Sequence, residues 1–242
     1  MFKFLKDFMN NQESTLTNNV NSVHRILKTD IKKEPTIQED EIIFGCGCFW
    51  GAEKCFWKLP GVVTTSVGYA GGNKNNPNYY EVCSGLTGHS EVVRVIWNKK
   101  EIDISDLLKM FWECHDPTQK NRQGNDIGTQ YRSSIYYKNE KNVEIILASK
   151  EQYQKELNKK NLGYIETEIK MIDTYFYAEQ YHQQYLASAG SRQYCSASPT
   201  KVKLGDFNGS NYKLKEFIWD NFNWEVDKCV LRSDNNPIKN NI

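Results

Sequence analysis

The strongest constraint on the fold is a regular alternation of strand-like and helix-like segments between residues 41 and 188. β-Branched and aromatic runs predict strands, and apolar residues spaced three and four apart predict helices. The predicted strands are 41–45, 62–69, 91–97, 131–138 and 166–174, and the predicted helices are 49–59, 105–114, 139–158 and 176–188. The opening order β-α-β-β-α-β is the split β-α-β pattern of ferredoxin-like sandwiches. The sequence therefore predicts the α/β class, as an α+β two-layer sandwich with helices on one face of a mixed sheet.

Three regions follow from where this alternation begins and ends. Residues 1–40 are polar and rich in Asn, which predicts a flexible N-terminal tail. Residues 41–190 hold the alternation and form the predicted catalytic ferredoxin-like domain. Residues 191–242 are irregular and are expected to form a C-terminal extension that carries two further cysteines.

Charge and hydropathy exclude several classes of protein. The formal net charge is +1, so nothing favours nucleic acid as a partner. No stretch approaches the ~20 apolar residues of a membrane helix, and the first residues lack the continuous apolar run of a secretory signal. We therefore expect a cytoplasmic protein with no membrane partner, in a compartment where thiols stay reduced.

Seven cysteines stand in the chain, an odd number that cannot pair completely. They are Cys46, Cys48, Cys55, Cys83, Cys114, Cys195 and Cys229. None is spaced C-x-x-C, which argues against a zinc ribbon and a thioredoxin-type dithiol. No histidine has metal-ligand spacing, so no metal site is predicted. Cys55, Cys83 and Cys114 are expected in the core.

Cys48 is the best candidate for a reactive cysteine. It stands between a predicted strand and a predicted helix, with Gly47 before it and Gly51 shortly after. A helix N-terminus offers unpaired N–H groups and a positive dipole end, which favour a thiolate nucleophile. A buried structural thiol remains the alternative. Cys46 is expected to face the core, with C-x-C metal binding or a redox pair left open.

The residues around the thiol and one strand end can support its chemistry. Phe49 and Trp50 can wall an apolar pocket that grips a methyl group, although ordinary helix core is the alternative. Glu91 opens a strand that turns apolar at once. A part-buried carboxyl there would have a raised pKa and could donate a proton near neutral pH. The alternative is an ordinary strand end that faces solvent.

The remaining candidates lie in long loops and in the C-terminal region. Tyr79 and Tyr131 offer hydroxyl donors, and Asp126 lies in a turn-forming stretch where an Asp commonly caps the backbone. Cys195 and Cys229 can resolve a sulfenic acid as a disulfide, with free thiols on a tail as the alternative.

Together the motifs resemble the A-type peptide methionine sulfoxide reductases, from about residue 41 to about residue 195. The motifs are Gly47-Cys48-Phe49-Trp50-Gly51, Gly68-Tyr69-Ala70-Gly71-Gly72, Asn76-Pro77-Asn78-Tyr79, Val82-Cys83-Ser84-Gly85, Gly88-His89-Ser90-Glu91-Val92, His115-Asp116-Pro117-Thr118, the run 121–133 and the run 178–186. A lone G-C-F-W-G would be moderate evidence, whereas this ordered series is strong.

The resemblance implies a role for each candidate. The family nucleophile corresponds to Cys48, the methyl pocket to Phe49 and Trp50, and the acid that protonates the sulfoxide oxygen to Glu91. Its hydrogen-bonding helpers are Tyr79 and Tyr131, organised by Asp126. Cys195 matches the first recycling cysteine, whereas Cys229 lies far along the extension and is only a hypothesis for the second.

The resemblance also implies the partners. Oxidised proteins or peptides and free methionine sulfoxide are the expected substrates, and methionine-S-sulfoxide the expected epimer. Thioredoxin is the expected reductant, with dithiothreitol able to replace it in vitro. No bound cofactor or metal is implied, and a monomer is expected. The competing classes are a thiol peroxidase using Cys48 and a metal-binding or redox-sensing module; a fused B-type reductase domain finds no room in the chain.

Overall fold

The computed structural model describes residues 20–226 and 228–240 of the chain. The strands of this part are β1 (Glu39–Cys46), β2 (Val62–Ala70), β3 (Ser90–Asn98), β4 (Arg122–Gln123), β5 (Asp126–Ile127), β6 (Ser133–Tyr137), β7 (Glu168–Met171) and β8 (Phe176–Tyr177). The α-helices of the same part are α1 (Phe49–Trp57), α2 (Tyr79–Cys83), α3 (Ile104–Glu113), α4 (Val143–Lys159), α5 (Glu216–Trp219) and α6 (Cys229–Arg232). Within the described ranges, every helix is too short or too polar to cross a bilayer.

Six of the described strands form one sheet in the order β7-β6-β1-β3-β2-β8. Strand β3 lies between β1 and β2 and pairs antiparallel with both, and β6 pairs antiparallel with the other side of β1. Strand β7 joins β6 in parallel, so the sheet is mixed. The predicted α/β class with a mixed sheet is confirmed, and the ferredoxin-like assignment stays a prediction.

The core lies between this sheet and its helices. Phe44 of β1 stacks on Phe56 of α1 at 4.9 Å and on Phe111 of α3 at 5.1 Å between ring centroids. Helix α3 begins after Asp103, whose carboxylate accepts a 3.0 Å hydrogen bond from the backbone N–H of Ser105. This N-cap satisfies an N–H that the first turn of a helix otherwise leaves unpaired.

The described part of the predicted tail packs against the sheet. Ile31 and His24 are fully buried, and His24 Nε2 lies 2.9 Å from the Thr65 hydroxyl on β2. The Arg94 side chain donates to the carbonyl oxygen of Lys33 at 3.1 Å. Residues 20–38 are therefore not a loose tail, because a buried isoleucine and these hydrogen bonds hold them in place. Residues 1–19 of the predicted tail lie outside the described residues.

The segment 176–188, predicted as a helix, is instead strand β8 followed by turns and a 3₁₀ turn at Tyr185–Ala187. Gln183 explains the difference. Its side chain accepts from the backbone N–H of Val67 at 3.0 Å and donates to the Val67 carbonyl at 2.8 Å, so it occupies the edge of β2. Backbone N–H groups of the segment also bond outside it, that of Ala178 to the Val67 carbonyl oxygen at 3.0 Å and that of Gln184 to the Glu53 carboxylate at 2.8 Å, so the hydrogen bonds of a helix do not form there.

The C-terminal extension is irregular, as predicted, yet it completes the core. Leu204 and Ile218 are fully buried. The backbone N–H of Leu204 donates to Glu113 at 3.0 Å, and that of Lys213 donates to Asp106 at 3.0 Å. Two buried carboxylates on α3 therefore tie the extension to the domain.

Candidate active site

One cavity of about 230 Å³ brings together residues from distant parts of the chain. Its lining residues are Cys48, Phe49, Trp50, Tyr79, Glu91, Asp126, Tyr131, Arg192 and Tyr194. Seven of these were singled out from the sequence, on α1, α2, β3, β5 and the turn before β6. The tertiary structure thus gathers the predicted thiol, acid, hydroxyls and aromatic wall at one place.

A tight turn between β1 and α1 presents the Cys48 thiol. Gly47 has φ of +86°, a conformation that L side chains rarely adopt, and a Cβ there would lie 2.5 Å from Cβ of Gln123. Cys48 then serves as the N-cap of α1, with φ of −53° and ψ of 122°. The sequence therefore needs glycine before the cysteine to place its sulfur at the helix N-terminus.

The thiol environment corrects the expectation of a resting thiolate. Burial raises the pKa of Cys48 well above its usual value, and the nearby Glu91 raises it further. A hydrogen bond with the backbone N–H of Trp50, at the start of α1, lowers this pKa without reversing the shift. Desolvation outweighs the helix terminus, so the shift in the Cys48 pKa favours the protonated thiol over the thiolate.

Glu91 is the buried acid of the site. It is 2% exposed at the start of β3, and its Oε2 accepts the backbone N–H of Phe49 at 3.1 Å. Burial raises its pKa to about 8, and the nearby carboxylates of Asp126 and Glu179 add to the shift, while the Phe49 hydrogen bond opposes it. The raised pKa predicted from the sequence is confirmed, and Glu91 holds a proton at pH 7.

Two tyrosine hydroxyls face the same cavity as protonated donors. Burial raises the pKa of Tyr79 and that of Tyr131, and the Glu91 carboxyl raises both further. Asp126 accepts a 2.6 Å hydrogen bond from the hydroxyl of Tyr194. Asp126 therefore orients a third tyrosine, one residue before Cys195.

The aromatic wall is held by a histidine. The Trp50 ring stacks on Tyr185 with centroids 3.9 Å apart, and its Nε1–H donates to Nδ1 of His182 at 3.1 Å. The His182 ring also lies 5.0 Å from Phe49 and 4.6 Å from Tyr79. Burial lowers the pKa of His182 to about 3, so it stays neutral and accepts the indole hydrogen bond.

The sequence analysis missed four residues that shape the site: Glu179, His182, Arg192 and Tyr194. Glu179 accepts the Tyr69 hydroxyl at 2.8 Å and the backbone N–H of Tyr79 at 2.8 Å, which fixes the start of α2. An indole N–H that is turned away from solvent needs an acceptor, so a tryptophan at the wall of a pocket is a signal that such a partner exists. Nothing in the sequence says which residue supplies it.

The recycling candidates lie outside the reactive cavity. Cys195 is 5% exposed and packs on Gly51 of α1, where a Cβ would lie 2.6 Å from its Sγ. Cys195 and Cys229 both line a second cavity, which Cys48 does not reach. The sequence brought all three into one relay. In the structure Cys195 and Cys229 line the second cavity and Cys48 the reactive one, while the Cys195 thiol is still near enough to Cys48 to add to the rise in its pKa.

The remaining cysteines divide differently from the prediction. Cys46, Cys55 and Cys114 are buried, as expected. Cys83 is exposed, not a core residue, because it ends the short helix α2 on the surface. Within the described ranges, one group of three metal-ligand side chains lies close enough to share an ion, namely Cys46, Cys114 and His115. None of them lines the reactive cavity.

The fold and site together define an α/β thiol enzyme with its own proton donor. A cysteine nucleophile, a neutral buried carboxyl group and an aromatic wall share one cavity. This arrangement suits a thiol-based oxidoreductase whose substrate carries an oxygen atom next to an apolar group.

Comparison with known proteins gives the family. The model of the family described as peptide methionine sulfoxide reductase matches residues 40–213. Peptide methionine sulfoxide reductase MsrA of Vibrio vulnificus (strain CMCP6) is 52% identical over 183 residues, which cover 76% of this chain and 87% of the relative. The mitochondrial peptide methionine sulfoxide reductase of Homo sapiens is 55% identical over 160 residues, covering 66% of this chain and 68% of the relative.

Solved structures agree with these relatives. Methionine sulfoxide reductase A of Corynebacterium diphtheriae superposes with a TM-score of 0.65 at 40% identity, covering 76% of this chain and 88% of that one. The reduced form of Mxr1 from Saccharomyces cerevisiae gives a TM-score of 0.61 at 33% identity, covering 72% and 96%. The chain belongs to the peptide methionine sulfoxide reductase family, in its A type.

Proposed function

We propose that this protein reduces methionine-S-sulfoxide, in proteins and as the free amino acid, to methionine in repair of oxidative damage. The observation that carries the proposal is the shared cavity of Cys48 and Glu91, a thiol facing a carboxyl group that keeps its proton to about pH 8. Family membership supports the same reaction.

The chemistry uses both protons of the pair. The sulfoxide oxygen leaves its sulfur poorly unless it is protonated, and Glu91 supplies that proton. The Cys48 sulfur attacks the substrate sulfur and passes its own proton to the Glu91 carboxylate. The oxygen then moves to Cys48, so a thiol and a sulfoxide become a sulfenic acid and a thioether. Hydroxyl groups of Tyr79 and Tyr131 stabilise the oxygen as it gains charge.

The aromatic wall selects the substrate. Phe49 is buried and Trp50 partly exposed at the cavity, so the two present an apolar surface beside the nucleophile. Seating the methyl group against this surface fixes which sulfoxide epimer directs its oxygen at Glu91. The stacking of Trp50 on Tyr185 holds that surface in one orientation.

Recycling requires Cys195 to cross from the second cavity. Its thiol attacks the Cys48 sulfenic acid, which releases water and leaves a Cys48–Cys195 disulfide. That Cys229 lines the same second cavity as Cys195 supports an exchange that moves the disulfide to Cys195–Cys229. Thioredoxin, or dithiothreitol in vitro, then reduces the disulfide, and no bound cofactor enters these steps.

The decisive test uses the two separated epimers of a methyl sulfoxide with dithiothreitol. The wild type is expected to reduce the S epimer alone, and Cys48→Ser is expected to be inactive. Equal rates on both epimers, or activity that survives the substitution, would refute the proposal. A thiol peroxidase would instead consume hydrogen peroxide quickly and leave both sulfoxides intact.

The relay has its own test. Mass spectrometry after one turnover without reductant is expected to find a Cys195–Cys229 disulfide in the wild type. Cys195→Ser should release one equivalent of methionine and then stop with thioredoxin. If no such link forms and Cys229→Ser turns over normally with thioredoxin, Cys229 has no part in the relay.

We also propose that the protein works as a cytoplasmic monomer without a nucleic-acid or membrane partner. Its seven cysteines are all free, which suits a reducing compartment, and its net charge of +1 favours neither polyanion nor anionic lipid. Light scattering of the purified chain checks the monomer, and fractionation of its native cells checks the compartment.

A further inference from the structure

A positive charge lines the reactive cavity, and no step of the proposed reaction uses it. Among the described residues that line this cavity, Arg192 is the only cation, and it is exposed to solvent. The other lining side chains are aromatic rings, hydroxyl groups, a thiol and two carboxyl groups. Reduction of a neutral sulfoxide needs a thiol and a proton donor, so the charge of Arg192 calls for its own explanation.

The main chain of Arg192 is tied to the aromatic wall of the cavity. Its backbone N–H donates to the hydroxyl of Tyr185 at 3.2 Å. The Tyr185 ring stacks on Trp50 with centroids 3.9 Å apart. One hydrogen bond and one stacked ring pair therefore join Arg192 to the surface on which the methyl group is expected to lie.

The guanidinium group lies over a second wall of the same cavity. Its Cζ is 5.2 Å from the centroid of the Tyr194 ring, which is within the range of a cation–π contact. The Tyr194 hydroxyl donates to Asp126 at 2.6 Å, and this bond orients the ring. Arg192 is therefore held on one side through Tyr185 and on the other through Tyr194.

The N–H donors of this guanidinium group make no ion pair or hydrogen bond within residues 20–226 and 228–240. By contrast, Arg94 and Arg132 each bond a glutamate, at 2.6 and 2.8 Å. The two carboxyl groups of the cavity, those of Glu91 and Asp126, instead accept a backbone N–H and a tyrosine hydroxyl. The planar set of donors on Arg192 is thus available to a ligand that enters the cavity.

The chemistry of the substrate indicates what that ligand is. A guanidinium group matches a carboxylate, which it binds through two parallel N–H···O hydrogen bonds. A methionine sulfoxide whose methyl group lies against Trp50 has its own carboxylate a short carbon chain away from the sulfur. In a peptide, the side chain of a neighbouring Asp or Glu carries the same group. A carboxylate from either source can meet a cation that lines the same cavity.

We propose that Arg192 forms a carboxylate subsite beside the methyl pocket, so that the enzyme prefers methionine sulfoxide residues that carry or adjoin a carboxylate. This inference rests on the proposed reductase function and adds the class of substrate that the site favours. Arg192 binds the substrate and takes no part in the transfer of oxygen, so its effect falls on KM. Because the ion pair is exposed to solvent, the preference is modest, about fivefold in kcat/KM.

The test measures kcat/KM with dithiothreitol for two pairs of S epimers that differ by one carboxylate. The first pair is N-acetylmethionine sulfoxide and its N-methylamide, which compares a main-chain carboxylate with a neutral amide. The second pair is the sulfoxide of N-acetyl-Met-Asp and that of N-acetyl-Met-Asn, both as N-methylamides, which compares an acidic side chain with its neutral counterpart. The readout is the ratio of the charged to the neutral member, because a general change in activity cancels in it.

In Arg192→Gln this ratio should fall about fivefold for at least one pair, and the affected pair identifies the source of the carboxylate. Arg192→Lys should keep part of the preference, since it retains the charge without the planar fork of donors. Lys100→Gln is the matched control: it removes a positive charge from an exposed turn after β3, and its ratios should equal those of the wild type. Equal ratios in the wild type and Arg192→Gln for both pairs would overturn the subsite.

Salt provides a readout that a merely structural role would not move. An exposed ion pair is screened as ionic strength rises, so the wild-type ratio should fall toward that of Arg192→Gln as salt is raised to about 1 M. A wild-type ratio that does not respond to salt would contradict an ionic subsite.

The same measurements separate this inference from the proposed function. If the wild type reduces the neutral amides and its ratios match those of Arg192→Gln, the subsite is refuted and the reductase function stands. A wild type that reduces none of the four substrates would refute both.

Discussion

The backbone N–H of Phe49 donates a 3.1 Å hydrogen bond to Oε2 of Glu91. This bond joins the first turn of α1, which presents the thiol, to the start of β3, which presents the acid. It holds nucleophile and proton donor in register, although 42 positions separate the bonded residues in the chain. It also opposes the rise in the Glu91 pKa that burial causes. The site therefore combines a neutral acid with a fixed geometry.

Replacing the acid tests its role as proton donor. In Glu91→Gln the amide oxygen can still accept the Phe49 N–H, so the geometry is kept while the proton is lost. The single-turnover rate of methionine formation should fall about 10²- to 10⁴-fold. Glu101→Gln, at an exposed turn, serves as the control with an unchanged rate. A rate for Glu91→Gln close to that of the wild type would show that another group protonates the oxygen.

The pH dependence of the same step follows from the Glu91 pKa. The carboxyl group is protonated below about pH 8 and loses its proton above it. The single-turnover rate should therefore be level below this pH and fall as pH rises through it, toward about tenfold per unit. Glu91→Gln should lack this fall. A wild-type rate that rises steadily from pH 7 to 9 would assign the limiting ionisation to the Cys48 thiol instead.

Stability should respond to pH with the matching sign. The pKa of Glu91 is raised in the folded state from 4.5 to about 8, so folding favours the protonated form. This contribution is fully present below about pH 4.5 and is lost as pH rises to about 8. Glu91→Gln should show a smaller decrease in the free energy of unfolding across that window, measured by urea titration. Equal decreases in both proteins would contradict a buried neutral carboxyl.

Gly51 lies against the recycling cysteine Cys195, so a substitution there is expected to affect recycling and to leave the reduction of the sulfoxide unchanged. A Cβ at this position would lie 2.6 Å from Sγ of Cys195, so the Cys195 side chain would have to shift in the variant. In Gly51→Ala, release of the first equivalent of methionine should be unchanged, whereas disulfide formation by Cys195 should change in rate by about tenfold or more. Gly163→Ala is the control, because its Cβ would meet only ordinary contacts from 3.5 Å outward. Rapid-quench alkylation of free thiols measures both steps, and equal disulfide rates in Gly51→Ala and the wild type would contradict the close packing.

His182 is a positioning residue for the methyl pocket. His182→Leu leaves the Trp50 indole N–H without its acceptor, at a cost of about 1–3 kcal/mol. KM for a methyl sulfoxide should rise about tenfold with a smaller change in kcat. His182→Gln, whose amide oxygen can accept the same N–H, should restore KM. A similar KM in both variants would mean that the indole hydrogen bond has no part in substrate binding.

The C-terminal extension should contribute to folding as well as recycling. Leu204 is fully buried, and Leu204→Ala should lower the free energy of unfolding by about 2–5 kcal/mol in urea titration. Leu86→Ala is the control: this leucine is 88% exposed, and a change below about 0.5 kcal/mol is expected. If both substitutions lower the free energy of unfolding by the same small amount, the extension packs more loosely than the structure shows.

Local patterns in the sequence were enough to predict many of the strands and helices. Strands β1, β2, β3 and β6 and helices α1, α3 and α4 were predicted close to their observed bounds. The central strands are buried along nearly their whole length and are visible as apolar, β-branched runs, and the helices show apolar residues at helical spacing. The helix predicted over 176–188 failed for the converse reason. The side-chain amide of Gln183 hydrogen-bonds to the edge of β2, and no local pattern in the sequence reveals a partner 116 residues away.

The sequence by itself determined the chemistry: a cysteine framed by glycines at a helix start, aromatic residues beside it and a glutamate at a strand end. Only the tertiary structure decided how these groups behave. Burial sets the protonation of Cys48 and Glu91, and burial depends on the whole packed chain. Packing likewise placed Cys195 and Cys229 in a second cavity and gathered three core thiols there, because contacts between distant segments are set by the fold and leave no local pattern.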